Sequence, residues 1–403
     1  MIDTAKIPLR NECVPPPIPV SDLLHKYSFF SNKDSEEIVQ LGSTSPSNEY
    51  FPSKELSRCL TRAARVSPDV LNTYGFANNK LRSYYHPENA TAQYIFHVHG
   101  VSISPDENCH TGGANEAIRN ALRVLTKPGD VVAVESPGFL GTYQTLQHMH
   151  LQALEIPVNF PDGLDLGVFE KKLKDGARPK CIIVTPNFQN PTGALMPLKA
   201  RDRLIALCMK HEIAIIEDDV LGALRFGERI SSLKERMPDE VIYVGSYSKI
   251  FAPGYRVGWA AGGKYAYNLQ VLNMIESAEA TPIGHLALTE YIKSGKYAQH
   301  IKNLRNIYQE NCEKMTIYIR QFFPASTEVS APVGGQYLWV TLPDGMSAEK
   351  LFYDALDKHI LLAPGNLFSI HHKYDQNMRI CFAMPITQKI IDSIEIVGNL
   401  SKS

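Results

Sequence analysis

The chain has 403 residues, 44% of them hydrophobic, enough to bury a large core and to form two or three lobes. Its 41 basic and 42 acidic residues leave a net charge of −1, so no broad field favours nucleic acid or an anionic membrane surface, and a small charged ligand would be handled locally. Seven cysteines with no Cys-x-x-Cys pair fit reduced thiols, residues 1–17 lack the apolar core of a leader, and no stretch reaches the ~18 uninterrupted apolar residues of a membrane span, so a cytoplasmic protein is expected.

Residues 1–48 read as an irregular N-terminal arm, with Pro15-Pro16-Pro17 favouring extended polyproline backbone. Regular alternation begins near 110. Residues 114–126 have helical spacing and stop at Lys127-Pro128-Gly129, after which 131–135 reads as a buried strand. Strand-like runs at 153–157, 181–185, 213–216 and 241–244 alternate with helical stretches such as 198–211, the pattern of a mainly parallel sheet wrapped by helices. Helical stretches at 266–279 and 296–322 lead to a smaller mixed region with strand-like 336–342 and 378–382. The expected organisation is an arm (1–48), a large α/β domain (49–290) and a small α+β C-terminal domain (291–403). Sheets of this kind place ligands at the C-terminal ends of their strands.

The chemistry-bearing residues fall at those ends. Thr111-Gly112-Gly113-Ala114-Asn115 precedes a helix, where free amides and the helix dipole suit an anion, although a glycine pair is also how a loop turns. Asn190-Pro191-Thr192-Gly193 follows a strand; a turn explains the proline and glycine but not the asparagine, whose amide suits a phenolate oxygen. Glu217-Asp218-Asp219 ends another strand, and three carboxylates there are costly unless one has a cationic partner. Ser246-Tyr247-Ser248-Lys249, with Arg256 seven residues on, brings together an amine able to hold an aldehyde as a Schiff base and hydroxyl and guanidinium groups suited to a phosphate dianion, a combination also found on solvated loops. Metal is set aside: no His or Cys pairs with the acids at a ligand spacing, and the pairs His97/His99, His148/His150 and His371/His372 read as scattered.

Taken in order, Thr111-Gly112-Gly113, Glu135-Ser136-Pro137-Gly138-Phe139, Thr185 to Gly193, Ile216 to Asp219, Gly245 to Lys249, Ala252 to Gly258 and Met378-Arg379-Ile380 resemble the fold-type I pyridoxal-phosphate aminotransferases of class I/II, and within them the aminotransferase-like domain of MocR-type regulators without its winged helix. The resemblance spans roughly residues 41–400. It implies pyridoxal 5'-phosphate as cofactor, and an amino group moved between an L-amino acid and a 2-oxo acid by a ping-pong mechanism through a Schiff base on Lys249. It gives Asp218 the pyridine nitrogen, Phe139 the ring face and Asn190 the 3'-oxygen. Gly113, Ala114, Asn115, Ser246, Ser248 and Arg256 take the phosphate, Arg379 clamps the substrate carboxylate, and Asn190 also serves the substrate. It further implies a homodimer in which Tyr74 reaches the neighbour's phosphate.

One departure bears on the chemistry. The family places a tyrosine two or three residues after the aspartate, where this chain has Val220 and Leu221. Unless another hydroxyl such as Tyr247 substitutes, a diverted outcome (decarboxylation, elimination, γ-substitution or oxidation) enters as the alternative reaction, with a non-catalytic ligand-sensing domain as a third reading.

Overall fold

The computed structural model describes residues 22–31, 37–66, 87–277 and 281–402. The larger sheet has eight strands: β1 (Asn108–Thr111), β2 (Val131–Ser136), β3 (Gln152–Asn159), β4 (Gly163–Leu164), β5 (Cys181–Val184), β6 (Ala214–Asp218), β7 (Val241–Ser246) and β8 (Gly258–Ala261), in the order β1-β8-β7-β6-β5-β2-β3-β4. The five central strands β3, β2, β5, β6 and β7 run parallel. Antiparallel ladders close both ends, β4 on β3 at one, and β8 on β7 and β1 on β8 at the other, so the sheet is mainly parallel, as expected, with antiparallel edges.

Its central strands are apolar because helices cover both faces. β5 is buried at every position, and its side chains divide between two cores: Cys181 and Ile183 pack with the helix Ala114–Leu125, Ile182 and Val184 with the helix Leu198–Lys210. The helix Ala114–Leu125 buries Ala117, Ile118, Ala121 and Leu122, one stripe of a 3.6-residue repeat. It ends at Thr126, before Pro128 and the left-handed Gly129.

The second sheet, β9 (Glu328–Val329), β10 (Tyr337–Thr341), β11 (Ala363–Pro364) and β12 (Asn377–Cys381), is antiparallel in the order β11-β12-β10-β9. The helices Lys296–Phe322, Ala348–Leu356 and Gln388–Leu400 contribute buried side chains to its core.

The N-terminal region departs from the expected irregular arm. Asp22–Ser31 is a helix whose Leu23 and Tyr27 are buried in the core of the second sheet. Its apolar residues pair with C-terminal ones, so no local periodicity announces it. The strap that follows runs beside Ile360–Ala363: Val39 bridges Ile360, Gly42 N–H donates to Leu361 O (2.8 Å), and Cys381 N–H donates to Leu41 O (2.7 Å). A Cβ on Gly42 would lie 2.4 Å from the Leu362 carbonyl carbon, so only glycine permits this approach.

A second close approach sets the floor of the candidate site. A Cβ on Gly258 in β8 would lie 2.6 Å from Gly113 C and 2.9 Å from Ala114 N, pressing directly on the start of the helix Ala114–Leu125. Gly258→Ala is expected to cost about 1–3 kcal/mol of stability by overpacking. Urea denaturation checks this; an unchanged midpoint would contradict it.

Candidate active site

The strand ends converge at the carboxyl edge of the larger sheet. At the end of β6 the three carboxylates have separate fates. Glu217 is fully buried and accepts N–H bonds from Leu233 (3.1 Å) and Lys234 (2.8 Å), capping the turn Leu233–Arg236; burial and the neighbouring Asp219 charge push its carboxyl up. Asp219, 2% exposed, accepts from His99 Nδ1 (2.9 Å), Tyr243 OH (2.5 Å) and Asn187 Nδ2 (2.7 Å). Burial opposes its charge, but the His99 bond and the other donors outweigh it and hold the carboxyl below the ordinary value. Asn187 passes the contact on, its Oδ1 accepting from the buried Arg201 guanidinium at 2.7 Å. Only Asp218, between them, lacks a strong donor. Its Oδ1 accepts Val220 N–H at 3.2 Å, and burial pushes its pKa up to about 6, against a lowering by Lys249.

Three loops meet at the helix Ala114–Leu125. Gly113 caps it at φ 118°, a conformation that favours glycine, and a Cβ there would strike Arg256 Nη2 at 2.4 Å. Arg256, itself left-handed at φ 52°, donates from Nη2 to Gly112 O (2.6 Å), and its Nη1 lies 3.5 Å from Ser248 Oγ. Ser246 and Ser248 hydroxyls are 2.8 Å apart, and Ser248 N–H donates to Ser246 Oγ. Two hydroxyls, a guanidinium whose hydrogen-bond partners are neutral, and the first amides of a helix, Ala114 and Asn115, make a seat with the chemistry of a phosphate dianion.

Lys249 follows directly on this seat. Its Nζ donates to Thr44 O at 2.6 Å, and burial lowers its pKa to about 8. Thr44 O also accepts from Gln336 Nε2 (2.9 Å), just before β10. On β12, Arg379 is 1% exposed. Its Nη1 donates to Asn190 Oδ1 (2.8 Å), its Nη2 to Gly42 O (2.7 Å) and Tyr27 OH (3.0 Å), and the rings of Tyr337 and Phe368 cover its two faces at 4.5 and 4.9 Å. Phe139, half-buried, opens the helix Leu140–His148, and the preceding Gly138 N–H donates to Phe368 O (2.9 Å).

Of the expected site residues, the structure links Gly113, Ser246, Ser248 and Arg256 in one contact network and Asn190 with Arg379 in another; Lys249 adjoins the first in sequence, and Asp218 is close enough to Lys249 for their charges to interact. Tyr74 lies outside the described residues. Tyr247 does not stand in for the missing tyrosine: it is 1% exposed, its hydroxyl reaches Thr91 Oγ1 (3.3 Å), and its ring packs among Tyr94, Phe251 and Trp259. Leu221, where the family's hydroxyl is expected, is buried in the apolar core. His99, expected to be scattered, instead converges on Asp219 from a five-residue π-turn, Ile95–His99. Unforeseen were Tyr27, Thr44, Tyr337 and Phe368; none lies in a quoted motif, and each meets its partner only through the fold. Among the described residues no group of three or more His, Cys, Asp or Glu is placed to hold a metal, and no helix is long and apolar enough to cross a membrane.

Comparison with known proteins gives this geometry a family. The profile of "Aminotransferase class I and II" matches residues 47–391. A 2-aminoadipate transaminase of Thermus thermophilus is 30% identical over 89% of this chain and 88% of its own length. The HTH-type transcriptional regulator YdcR of Escherichia coli is 30% identical over 90% of this chain, which covers 77% of the regulator. Among solved structures, the kynurenine aminotransferase of Pyrococcus horikoshii, in complex with PMP, superposes with a TM-score of 0.85 at 26% identity, covering 96% of this chain and 95% of that one. LysN, an alpha-aminoadipate aminotransferase of Thermus thermophilus complexed with N-(5'-phosphopyridoxyl)-L-leucine, gives 0.82 at 28% identity, covering 94% and 96%. With its fold-type I architecture and a family match across most of its length, the chain belongs to the class I and II aminotransferases.

Proposed function

We propose that the protein is a pyridoxal-phosphate-dependent aminotransferase that moves an amino group between an L-amino acid and a 2-oxo acid. The observation that carries this is the pairing of a buried carboxyl and a buried amine held only by neutral main-chain groups: Asp218 accepts one amide and Lys249 donates to one carbonyl, while the adjacent Glu217 and Asp219 are each held by two or more donors. The cofactor fits the donor set. Ser246, Ser248, Arg256 and the amides of Gly113, Ala114 and Asn115 would hold its phosphate, Phe139 its ring face, Asn190 its 3'-oxygen and Asp218 its ring nitrogen. When bound, the cofactor supplies an aldehyde to the amine and an electron sink for charge developing at the substrate Cα. A protonated nitrogen opposite Asp218 would offset the burial cost of its carboxylate. Lys249, its pKa lowered to about 8, has a substantial free-base fraction near neutral pH and moves the proton at Cα. Arg379, hydrogen-bonded to Asn190, would take the α-carboxylate and so orient the substrate Cα for proton transfer by Lys249.

The proposal includes domains at 49–290 and 291–403, and a homodimer, which the exposed Tyr267, Met274 and Ile275 on the helix Ala266–Ser277 support. It also places the protein in the cytoplasm, in keeping with six free cysteines among the described residues.

Two experiments test the reading. Wild type and Lys249→Ala are titrated with L-phenylalanine, L-2-aminoadipate and L-leucine, then with 2-oxoglutarate, while the visible absorbance is followed. The wild-type cofactor band should disappear with an accepted amino acid and return with the oxo acid, and the variant should lose turnover by on the order of 10²–10⁴-fold. Release of oxo acid beyond one equivalent per site with no acceptor would favour the diverted reaction, and no cofactor band would defeat the assignment. Secondly, in cofactor-free protein the burial that lowers Lys249 predicts that trapping of pyridoxal phosphate at this residue, by borohydride and peptide mapping, rises through pH about 8. Surface lysines should follow only toward their ordinary value of about 10.4. A half-point near 10 at Lys249 would contradict the lowered value.

A further inference from the structure

Arg379 is a buried cation whose hydrogen-bond partners are all neutral: an asparagine oxygen, a main-chain carbonyl and a tyrosine hydroxyl, with aromatic rings on both faces. Its Nε, fully buried, has no hydrogen-bond partner among the described residues. A guanidinium held this way keeps its full charge for an incoming anion, but only while its plane stays fixed, because neutral acceptors attract it less strongly than a carboxylate would. Two of its partners are anchored to rigid structure. Gly42 O is fixed by the Gly42 N–H bond to Leu361 and by backbone packing on Leu362, and Asn190 lies in the turn after β5.

We infer that Tyr27 is the positioning residue for Arg379, so that the N-terminal helix Asp22–Ser31 sets the affinity of the site for the substrate's α-carboxylate. The Tyr27 hydroxyl donates to Gly42 O (2.9 Å) and accepts from Arg379 Nη2 (3.0 Å), closing a triangle with the Nη2 bond to Gly42 O (2.7 Å). The hydroxyl therefore adds a second constraint on Nη2 beside Gly42 O, and so on the tilt of the guanidinium plane. Tyr27 is 7% exposed, and its helix is tied down independently by Gln40 Nε2 donating to Phe30 O (2.9 Å) and by Lys26 Nζ over the Tyr353 ring at 4.7 Å. Removing the hydroxyl alone should leave the helix seated while freeing the guanidinium to tilt.

This inference rests on the reading of Arg379 as the carboxylate clamp, and the test separates the two. Holoenzymes of the wild type, Tyr27→Phe, Arg379→Ala and the double variant are compared for kcat and KM. The substrates are whichever of L-phenylalanine, L-2-aminoadipate and L-leucine the wild type turns over, and the 2-oxo acid; thermal unfolding and the cofactor spectrum serve as controls. Loss of one positioning hydrogen bond, at the net strength of a typical one, predicts a KM about five- to tenfold higher in Tyr27→Phe for both substrates, with kcat and the cofactor spectrum little changed. In the Arg379→Ala background the same change should leave KM where it was. An unchanged KM in Tyr27→Phe, beside a raised KM in Arg379→Ala, overturns the role of Tyr27 alone. An equal rise in both backgrounds overturns it in favour of a packing role. An unchanged KM in Arg379→Ala overturns the clamp and the inference together.

Discussion

A cation buried without an anion is the constraint around which the site is arranged. Taking the Arg379 charge out of water costs several kcal/mol unless acceptors replace the lost hydration. A carboxylate from the protein would lower that cost but would neutralise the charge a ligand needs. The chain resolves the conflict with neutral groups drawn from separate regions: Tyr27 and Gly42 from the N-terminal segment, Asn190 from the turn after β5, and the rings of Tyr337 and Phe368 from the C-terminal part. The seating of the N-terminal helix and the antiparallel second sheet brings these groups together.

The same logic, with the opposite sign, governs the end of β6. Three consecutive carboxyls would repel one another, and two of them are made harmless by the chain: Glu217 by two backbone amides, Asp219 by His99, Tyr243 and Asn187. The fixed charge of Asp219 adds to burial in pushing Asp218 up, so Asp218 gains more than an ordinary surface carboxylate would from a cation placed opposite it. Lys249 is tuned the other way, burial lowering it toward the range where an amine can accept and return a proton at neutral pH.

What could be read in advance follows from which interactions are local. Strands buried on both faces appear as short apolar runs, so β2, β5 and β7 were legible within a residue or two, and the helix Lys296–Phe322 to its ends. Gly113, Ser246, Ser248 and Arg256 stood in recognisable turns because the backbone geometry that brings them together is set within each loop. The strands β1 (Asn-Cys-His-Thr) and β8 (Gly-Trp-Ala-Ala) were missed because, at the same four-residue length as β5, they lack its run of β-branched apolar residues. The helix Asp22–Ser31 was missed because its buried side chains meet residues far along the chain. The His99–Asp219 pair, 120 residues apart, and the Tyr27–Arg379 contact, 352 apart, leave no trace in local composition.

That last separation has a consequence for how the protein is made. Tyr27 is synthesised before Arg379, which follows 352 residues later. At ~5–20 residues per second the N-terminal helix waits on the order of tens of seconds before the Arg379 donor exists. In that interval Leu23 and Tyr27 have no core to enter, so the larger sheet can fold behind them while the carboxylate end of the site stays unformed. The Arg379 cluster therefore closes only after the larger sheet is complete in sequence, and a chain interrupted between the two holds the Ser248–Arg256 contact without it.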